Sequence, residues 1–295
     1  MNVVITGASG LIGTALREAL KADGHQVYAM ERRQQSTALF HWWPPTRQIY
    51  FDPDIPVDAV INLAGAGIAD QRWSPQRKQE IKDSRAMATE LLAETLAALP
   101  HKPSVLLSGS AIGFYGETGS QQVDEKNEAG TDFLAEVSYA WEQATKSALN
   151  AGIRTVLLRT GIVLSNQGGA LQKMLLPFKL GAGGVVGNGM QYMSWVSLRD
   201  EVSMIRFLLQ REDLSGPINL VAPAAVTNRA FTKALGKALK RPTFLPMPAA
   251  AARLAFGEMA DYLLLSSIRV YPTIIEQAGY SFQDPDLATA LKAMV

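Results

Sequence analysis

Gly7, Gly10 and Gly13 recur at three-residue spacing in ITGASGLIG, where the apolar run Asn2–Ile5 gives way to a helical pattern. A strand, a Gly-x-x-Gly-x-x-Gly turn and a helix start make a geometry that holds phosphate. Glycine permits the tight turn and the close approach of backbone to a diphosphate, and the helix start offers amide donors at the positive end of its dipole. Three glycines alone would also serve an ordinary strand-to-helix turn. Their place inside a strand–helix–strand unit is the context that a dinucleotide-binding fingerprint requires. Gly7, Ser9, Gly10, Leu11, Ile12 and Gly13 are therefore expected to line a bound dinucleotide.

The end of the second strand bears on which dinucleotide. An acidic residue there would hold the ribose of NAD, whereas arginine would take the 2′-phosphate of NADP. The chain has Glu31-Arg32-Arg33. A pair of guanidinium forks suits phosphate and offsets Glu31, so Arg32 and Arg33 point to NADP in preference to NAD. Three solvated charges at a strand end are the plain alternative.

Other polar or aromatic positions carry less. The three histidines, His25, His41 and His101, have no ligand spacing, are read as surface residues, and imply no metal site. Gly181–Gly189 (GAGGVVGNG) lacks the Lys and Ser/Thr of a P-loop and reads as a flexible loop on the substrate side. Asp200 reads as the cap of a helix near Glu201–Leu209. Trp42, Trp43, Trp73 and Trp195 could line a cleft, with packing as the default.

The elements that would position these residues alternate. Strands are expected at Asn2–Ile5, Gln26–Met30, Asp58–Leu63, Ser104–Leu107 and Thr155–Leu158. Helices are expected over Leu11–Ala22, which Gly24 stops, Gln76–Leu99, which Pro100 ends, and Leu134–Asn150, which Gly152 stops. An Ala-rich helical region runs from Pro248 to about Ala260. This alternation predicts an α/β fold, a Rossmann-like doubly wound parallel sheet with helices on both faces. The glycine-rich stretch Gly168–Gly189 marks a change of texture. It divides the chain into a nucleotide-binding domain over 1–165 and a smaller, partly interleaved C-terminal substrate lobe over 166–295.

Bulk composition excludes several classes. With 295 residues, 47% of them hydrophobic, the chain can bury a large core without disulfides. Cysteine is absent, which excludes thiolate catalysis and Cys-ligated zinc or iron–sulfur clusters. A net charge of +1 gives no bulk field for nucleic acid or an anionic membrane. No secretory leader pattern and no long uncharged apolar run appear, so a cytoplasmic location is expected.

TGASGLIG, NLAG at Asn62–Gly65, LLSGSAIGFYG at Leu106–Gly116 and LLRTGIVL at Leu157–Leu164 resemble the extended short-chain dehydrogenase/reductase superfamily. RWSPQRKQEIKDSR, GGALQKMLLPFKLGAGG, GEMAD and AGYSFQDPDLATAL resemble its atypical epimerase family branch, whose members are often labelled nucleoside-diphosphate-sugar epimerase-like. The resemblance runs nearly end to end. It implies an NADP-binding domain and a substrate lobe, with no defined substrate. It also implies that Asn62, Leu63, Ala64 and Gly65 close over the cofactor, that Ser84 and Arg85 reach its phosphates or ribose, and that Thr160 and Gly161 face its nicotinamide end. A homodimer through the two long helices would follow by analogy, a monomer being the alternative.

Enzymes of that superfamily polarise a carbonyl or alcohol with Ser and Tyr, and a Lys four residues after the Tyr lowers its pKa. None of the eight tyrosines here is followed by Lys at that spacing. Counting back from Leu158-Arg159 puts Val137 and Trp141 at the two positions, and neither can do that chemistry. What remains is Ser110, which matches the superfamily serine, and Tyr115 close behind it. Tyr139, Lys146 and Glu142 are lesser candidates. Two readings follow: an NADP-dependent oxidoreductase or epimerase-like enzyme with reduced catalytic apparatus, or a non-catalytic NADP(H)-binding sensor or regulatory protein.

Overall fold

A computed structural model describes residues 1–34 and 36–295. Six parallel strands make the central sheet: β1 (Asn2–Thr6), β2 (Gln26–Ala29), β3 (Ala59–Asn62), β4 (Val105–Ala111), β5 (Arg154–Thr160) and β6 (Gly216–Leu220). Their order across the sheet is β2-β1-β3-β4-β5-β6. The chain steps outward from β1 to β2, then returns to the other side of β1 as β3. That reversal creates a crevice outside the carboxyl ends of β1 and β3, the place where open α/β sheets bind ligands.

The register aligns the ends that matter. Thr6 stands opposite Asn62, Asn62 opposite Ser108, Ser110 opposite Arg159 and Ala111 opposite Thr160. β4 extends to Ala111, beyond the expected Ser104–Leu107, because Ser108, Gly109 and Ser110 continue the pairing with β5 although they are not apolar.

Strand alternation sends Val3, Ile5, Ile61, Leu107 and Leu158 to one face, where they are fully buried beneath α1 (Leu11–Ala22) and a later helix, α7 (Leu198–Gln210). Val4, Val60 and Leu106 go to the other face, against α3 (Ala86–Ala98). Burying each such side chain contributes about 1.5–3 kcal/mol. A third core joins Leu171 and Phe178 of α6 (Gly169–Lys179) to Trp195, Phe231 and Leu291. α7 and β6 lie after residue 165 in sequence, yet both belong to the central sheet layer.

Two expected long helices are each interrupted. Gln76–Leu99 becomes α2 (Pro75–Asp83) and α3, parted where the Ser84 hydroxyl donates to Ile81 O and accepts from Ala66 N. Leu134–Asn150 becomes α4 (Phe133–Gln143) and α5 (Lys146–Asn150), parted where the Thr145 hydroxyl donates to Glu142 O at 2.7 Å. In both cases a hydroxyl competes for the carbonyl of the preceding turn.

Asp200 is not the cap of α7. Ser197 is, its Oγ accepting from Asp200 N at 3.0 Å. The Asp200 carboxylate instead accepts from Tyr280 hydroxyl (2.7 Å), Gln283 N (2.9 Å) and Asp284 N (2.8 Å), anchoring the C-terminal segment to the helix start.

Candidate functional site

The turn after β1 is built so closely that side chains are excluded. Gly7 has φ +66°, and a Cβ there would stand 2.7 Å from the Leu63 carbonyl carbon and oxygen. A Cβ on Gly13 would lie 2.9 Å from Ala8 Cα and closer still to the Gly7 carbonyl oxygen. Gly10 precedes α1 without a side-chain cap, and the first helical bond runs from Thr14 N to Gly10 O at 2.9 Å. The amides of Leu11, Ile12 and Gly13 therefore have no intrahelical acceptor. They face the crevice end of β1, where an anion can replace the missing cap. Ser9 is exposed in the same turn.

Asn62 lies on the opposite lip but turns inward. Its Oδ1 accepts from Thr6 Oγ1 at 2.7 Å, and its Nδ2 donates to Thr89 Oγ1 at 2.8 Å and Ser108 Oγ at 3.3 Å. Thr6 Oγ1 in turn accepts from Leu63 N and Ala64 N, each at 3.1 Å. Asn62 thus stitches β1, β3, β4 and α3 and shapes the turn that follows it. Leu63 and Ala64 are half-buried and Gly65 is exposed at the crevice. Ser84 holds the next residue of that turn through Ala66 N, so its hydroxyl is engaged.

Arg85 sits directly behind Gly65, where an added Cβ would be 3.1 Å from the guanidinium carbon. The guanidinium donates to Ile81 O at 3.1 Å and lies 5.1 Å from the Trp141 ring centroid. It has no carboxylate partner among the described residues; burial first, and Arg77 second, pull it down to about 10. A half-buried cation so placed favours an incoming anion.

Arg32 and Arg33 follow β2. Arg32 belongs to the short strand Glu31–Arg32, which pairs with Phe40–Trp43, and its guanidinium stands 5.8 Å from the Trp43 ring centroid. Arg33, largely exposed, is 3.9 Å from Glu31 and lines an open cleft of about 530 Å³ with Glu31, Ser36, Thr37 and Ala38.

Ser110 and Tyr115 are brought together by residues that local sequence reading ranked low or passed over. Ser110 Oγ donates to Glu142 Oε1 at 2.7 Å. Arg159 grips the same carboxylate through Nε (2.8 Å) and Nη2 (2.9 Å), and its Nη1 donates to the Tyr115 hydroxyl at 3.0 Å. The Tyr115 hydroxyl donates to Asn219 Oδ1 at 2.7 Å. Asn219 N donates to Glu125 Oε1 at 3.0 Å. All six side chains are buried. Burial, opposed by Arg159, pushes the Tyr115 phenol up to about 12, so it stays protonated. Burial works against the Arg159 charge, but the bonds to Glu142 outweigh it and hold the guanidinium above its ordinary value. The motif LLRTG contained Arg159, and only its pairing was invisible.

Among the described residues, the positions of the missing Tyr and Lys hold no acid–base pair. Trp141 and Val137 are buried, and Trp141 donates to Thr89 Oγ1 at 3.0 Å. The α4 positions that pass Gly113, just beyond β4, are Leu134 and Ser138, also four residues apart and equally unable to act as that pair. Tyr139 and Lys146 are both exposed.

At the end of β5, Thr160 Oγ1 donates to Glu201 Oε1 at 2.8 Å. Glu201 is fully buried, its other oxygen has no partner, and burial raises it to about 8. Gly161 admits a close approach: its Cβ would stand 2.8 Å from Ser194 O. Gly181–Gly189 is tied down on the lobe through Gly187 N to Met247 O (2.9 Å) and Met247 N to Val185 O (2.8 Å). His25 and His41 are half-buried and His101 is exposed; among the described residues no group of three carboxylates and histidines is placed to hold a metal.

Residues 3–221 match the model of the NAD dependent epimerase/dehydratase family, and residues 247–294 match a domain of unknown function, DUF1731. An epimerase family protein of Mycobacterium bovis is 46% identical over 292 residues, covering 98% of this chain and 96% of its own. The human epimerase family protein SDR39U1, solved with NADPH, superposes with a TM-score of 0.90 at 32% identity, covering 100% of this chain and 99% of that one. A nucleoside-diphosphate sugar epimerase from Corynebacterium glutamicum gives a TM-score of 0.80 at 32% identity, with 100% of this chain matched to 58% of that one. With its glycine turn, its six-stranded sheet and this match over most of its length, the chain belongs to the NAD dependent epimerase/dehydratase family.

Proposed function

We propose that this protein is an NADP(H)-dependent oxidoreductase or epimerase-like enzyme that works without the Tyr–Lys pair. The observation that carries the reading is the side-chain-free turn at Gly7 and Gly13 beneath the uncapped amides of Leu11, Ile12 and Gly13. The residues present fit a dinucleotide: those amides take its diphosphate, and Arg85 adds a half-buried positive charge behind Gly65. Arg32 and Arg33 take the 2′-phosphate, in keeping with the NADPH bound by the human relative. When bound, the nicotinamide would donate or accept a hydride. Ser110, its proton committed to Glu142, presents lone pairs and so accepts a hydrogen bond from a substrate hydroxyl. In this reading residues 1–165 hold the cofactor and residues 166–295 supply the substrate lobe. No helix of the described residues is long and apolar enough to cross a membrane, and a cytoplasmic location is part of the proposal.

The experiment is a fluorescence titration with NADPH and NADH, followed by NADPH consumption across aldehydes, ketones, quinones and nucleotide sugars. NADPH is expected to bind more tightly than NADH, and Ser110→Ala to slow whatever turnover is found. A non-catalytic sensor is the second reading, favoured because both candidate hydroxyls, Ser110 and Tyr115, are bonded into the interior. Tight NADPH binding with no turnover on any substrate would establish it.

A further inference from the structure

We propose that the substrate side of this crevice takes a planar, uncharged organic carbonyl compound, held by Trp73, Phe133 and Tyr262, rather than a nucleoside diphosphate sugar. The inference rests on the NADP(H)-binding reading and deepens it.

The three rings come from three walls. Trp73 ends the loop that leaves β3, Phe133 opens α4 next to the Leu134 that passes Gly113, and Tyr262 belongs to the C-terminal lobe. The Trp73 ring lies 5.1 Å from Phe133 in an edge-on arrangement and 5.3 Å from Tyr262, tilted by 36°. The loop is fastened to the lobe by Arg72 on Leu254 O and by Lys173 Nζ on Ala69 O (2.8 Å), and the start of α2 by Lys78 on Glu258 (2.7 Å). The trio therefore sits at the seam between the carboxyl ends of the strands and the lobe.

All three rings are half-exposed rather than packed away. Trp73 Nε1 donates to Ile68 O at 2.8 Å, so the indole offers only apolar surface. Tyr262 lies in the π-helical turn Asp261–Leu265, in which no residue is buried although four of the five are apolar or aromatic. Such turns recur at functional sites. The Tyr262 hydroxyl, with no hydrogen bond among the described residues, is available to donate to a carbonyl oxygen.

Charge argues against a diphosphate here. Two phosphates call for uncommitted cations, preferably guanidinium forks. Of the cations around the trio, three have a carboxylate, Lys78 with Glu258 at 2.7 Å, Arg253 with Asp261 at 2.8 Å and Arg77 with Glu80 at 2.6 Å, which leaves Arg72, turned onto the Leu254 carbonyl, as a single guanidinium where two phosphates call for more than one. Lys78 also lies 4.5 Å from the Phe133 ring centroid. Arg85 lies behind Gly65 on the cofactor side.

The test is calorimetric, on the full chain. NADP⁺ is titrated first; the NADP⁺-loaded protein, which has no hydride to deliver, is then titrated with 2-naphthaldehyde and separately with UDP-glucose. Saturable binding of the aldehyde and none of UDP-glucose is expected. Trp73→Ala and Tyr262→Ala should each weaken aldehyde binding by about tenfold, Trp73→Phe should restore most of it, and NADP⁺ affinity should stay unchanged throughout. Saturable UDP-glucose binding without aldehyde binding, or aldehyde binding indifferent to both alanine variants, overturns this inference alone. Failure to bind NADP⁺ overturns the cofactor reading together with it.

Discussion

Glu142 and Arg159 face each other in the interior as a two-point ion pair, Nε to Oε1 at 2.8 Å and Nη2 to Oε2 at 2.9 Å. They are 6% and 3% exposed. Removing one partner of a buried pair strands the other charge, which costs about 3–5 kcal/mol. Glu142→Ala should destabilise the fold by that order in urea denaturation. The double variant Glu142→Met with Arg159→Met should cost less than the sum of the singles, because no lone charge remains. A Glu142→Ala cost below about 1 kcal/mol would show the pair to be dispensable.

Gly13 tests the cradle by reversing an ordinary rule. Glycine to alanine inside a helix normally stabilises by about 1 kcal/mol. At Gly13 the added Cβ would collide with the Gly7 carbonyl and Ala8 Cα, so Gly13→Ala should destabilise the fold. On the proposed function it should also weaken NADPH binding by about tenfold or more, as the turn beneath the amides widens. Thermal melts and an NADPH titration read both effects, and a more stable variant would contradict the geometry.

Glu201 gives the protein a pH dependence of definite sign. Its folded-state value is raised to about 8, above that of the unfolded chain, because burial penalises the charge. The folded state therefore keeps a proton that the unfolded state releases between about pH 4.5 and 8. Its contribution is complete below that window and is lost as pH rises through it, at up to about 1.4 kcal/mol per pH unit. Urea denaturation from pH 5 to 8 should show stability falling, with a flatter dependence in Glu201→Gln. Identical slopes in the two proteins would exclude this origin.

Asp200 holds three donors from the segment 280–284. Asp200→Ala should cost about 2–4 kcal/mol, since the buried Asp284 amide, the partly buried Gln283 amide and a phenol lose their acceptor together. Hydrogen exchange should show the loss of protection concentrated at Gln283 and Asp284. Loss spread evenly over the chain would argue against a local anchor.

Local signals were enough for the strand–turn–helix at Asn2–Ala22, because hydropathy period and glycine spacing act within a few residues. They also set the alternation that yields a doubly wound sheet, and the motifs that mark the family. They missed the breaks at Ser84–Arg85 and Thr145. There a single hydroxyl, satisfied by the preceding turn and, for Ser84, by the loop after β3, outweighs helical periodicity.

Pairings distant in sequence lay outside any local pattern. Arg159 meets Glu142 only because the β4–β5 register sets Ser110 beside Arg159 and α4 crosses that point. Asp200 looked like a helix cap until residues 280–284 arrived to claim its carboxylate, and Glu201 takes its altered acidity from the layers that bury it. The chain's own order determined the sheet, the phosphate turn and the absence of a Tyr–Lys pair. Tertiary structure alone decided which polar groups are spent inside and which remain open to a ligand, because burial and hydrogen-bond partnership depend on which surfaces the folded elements bring together.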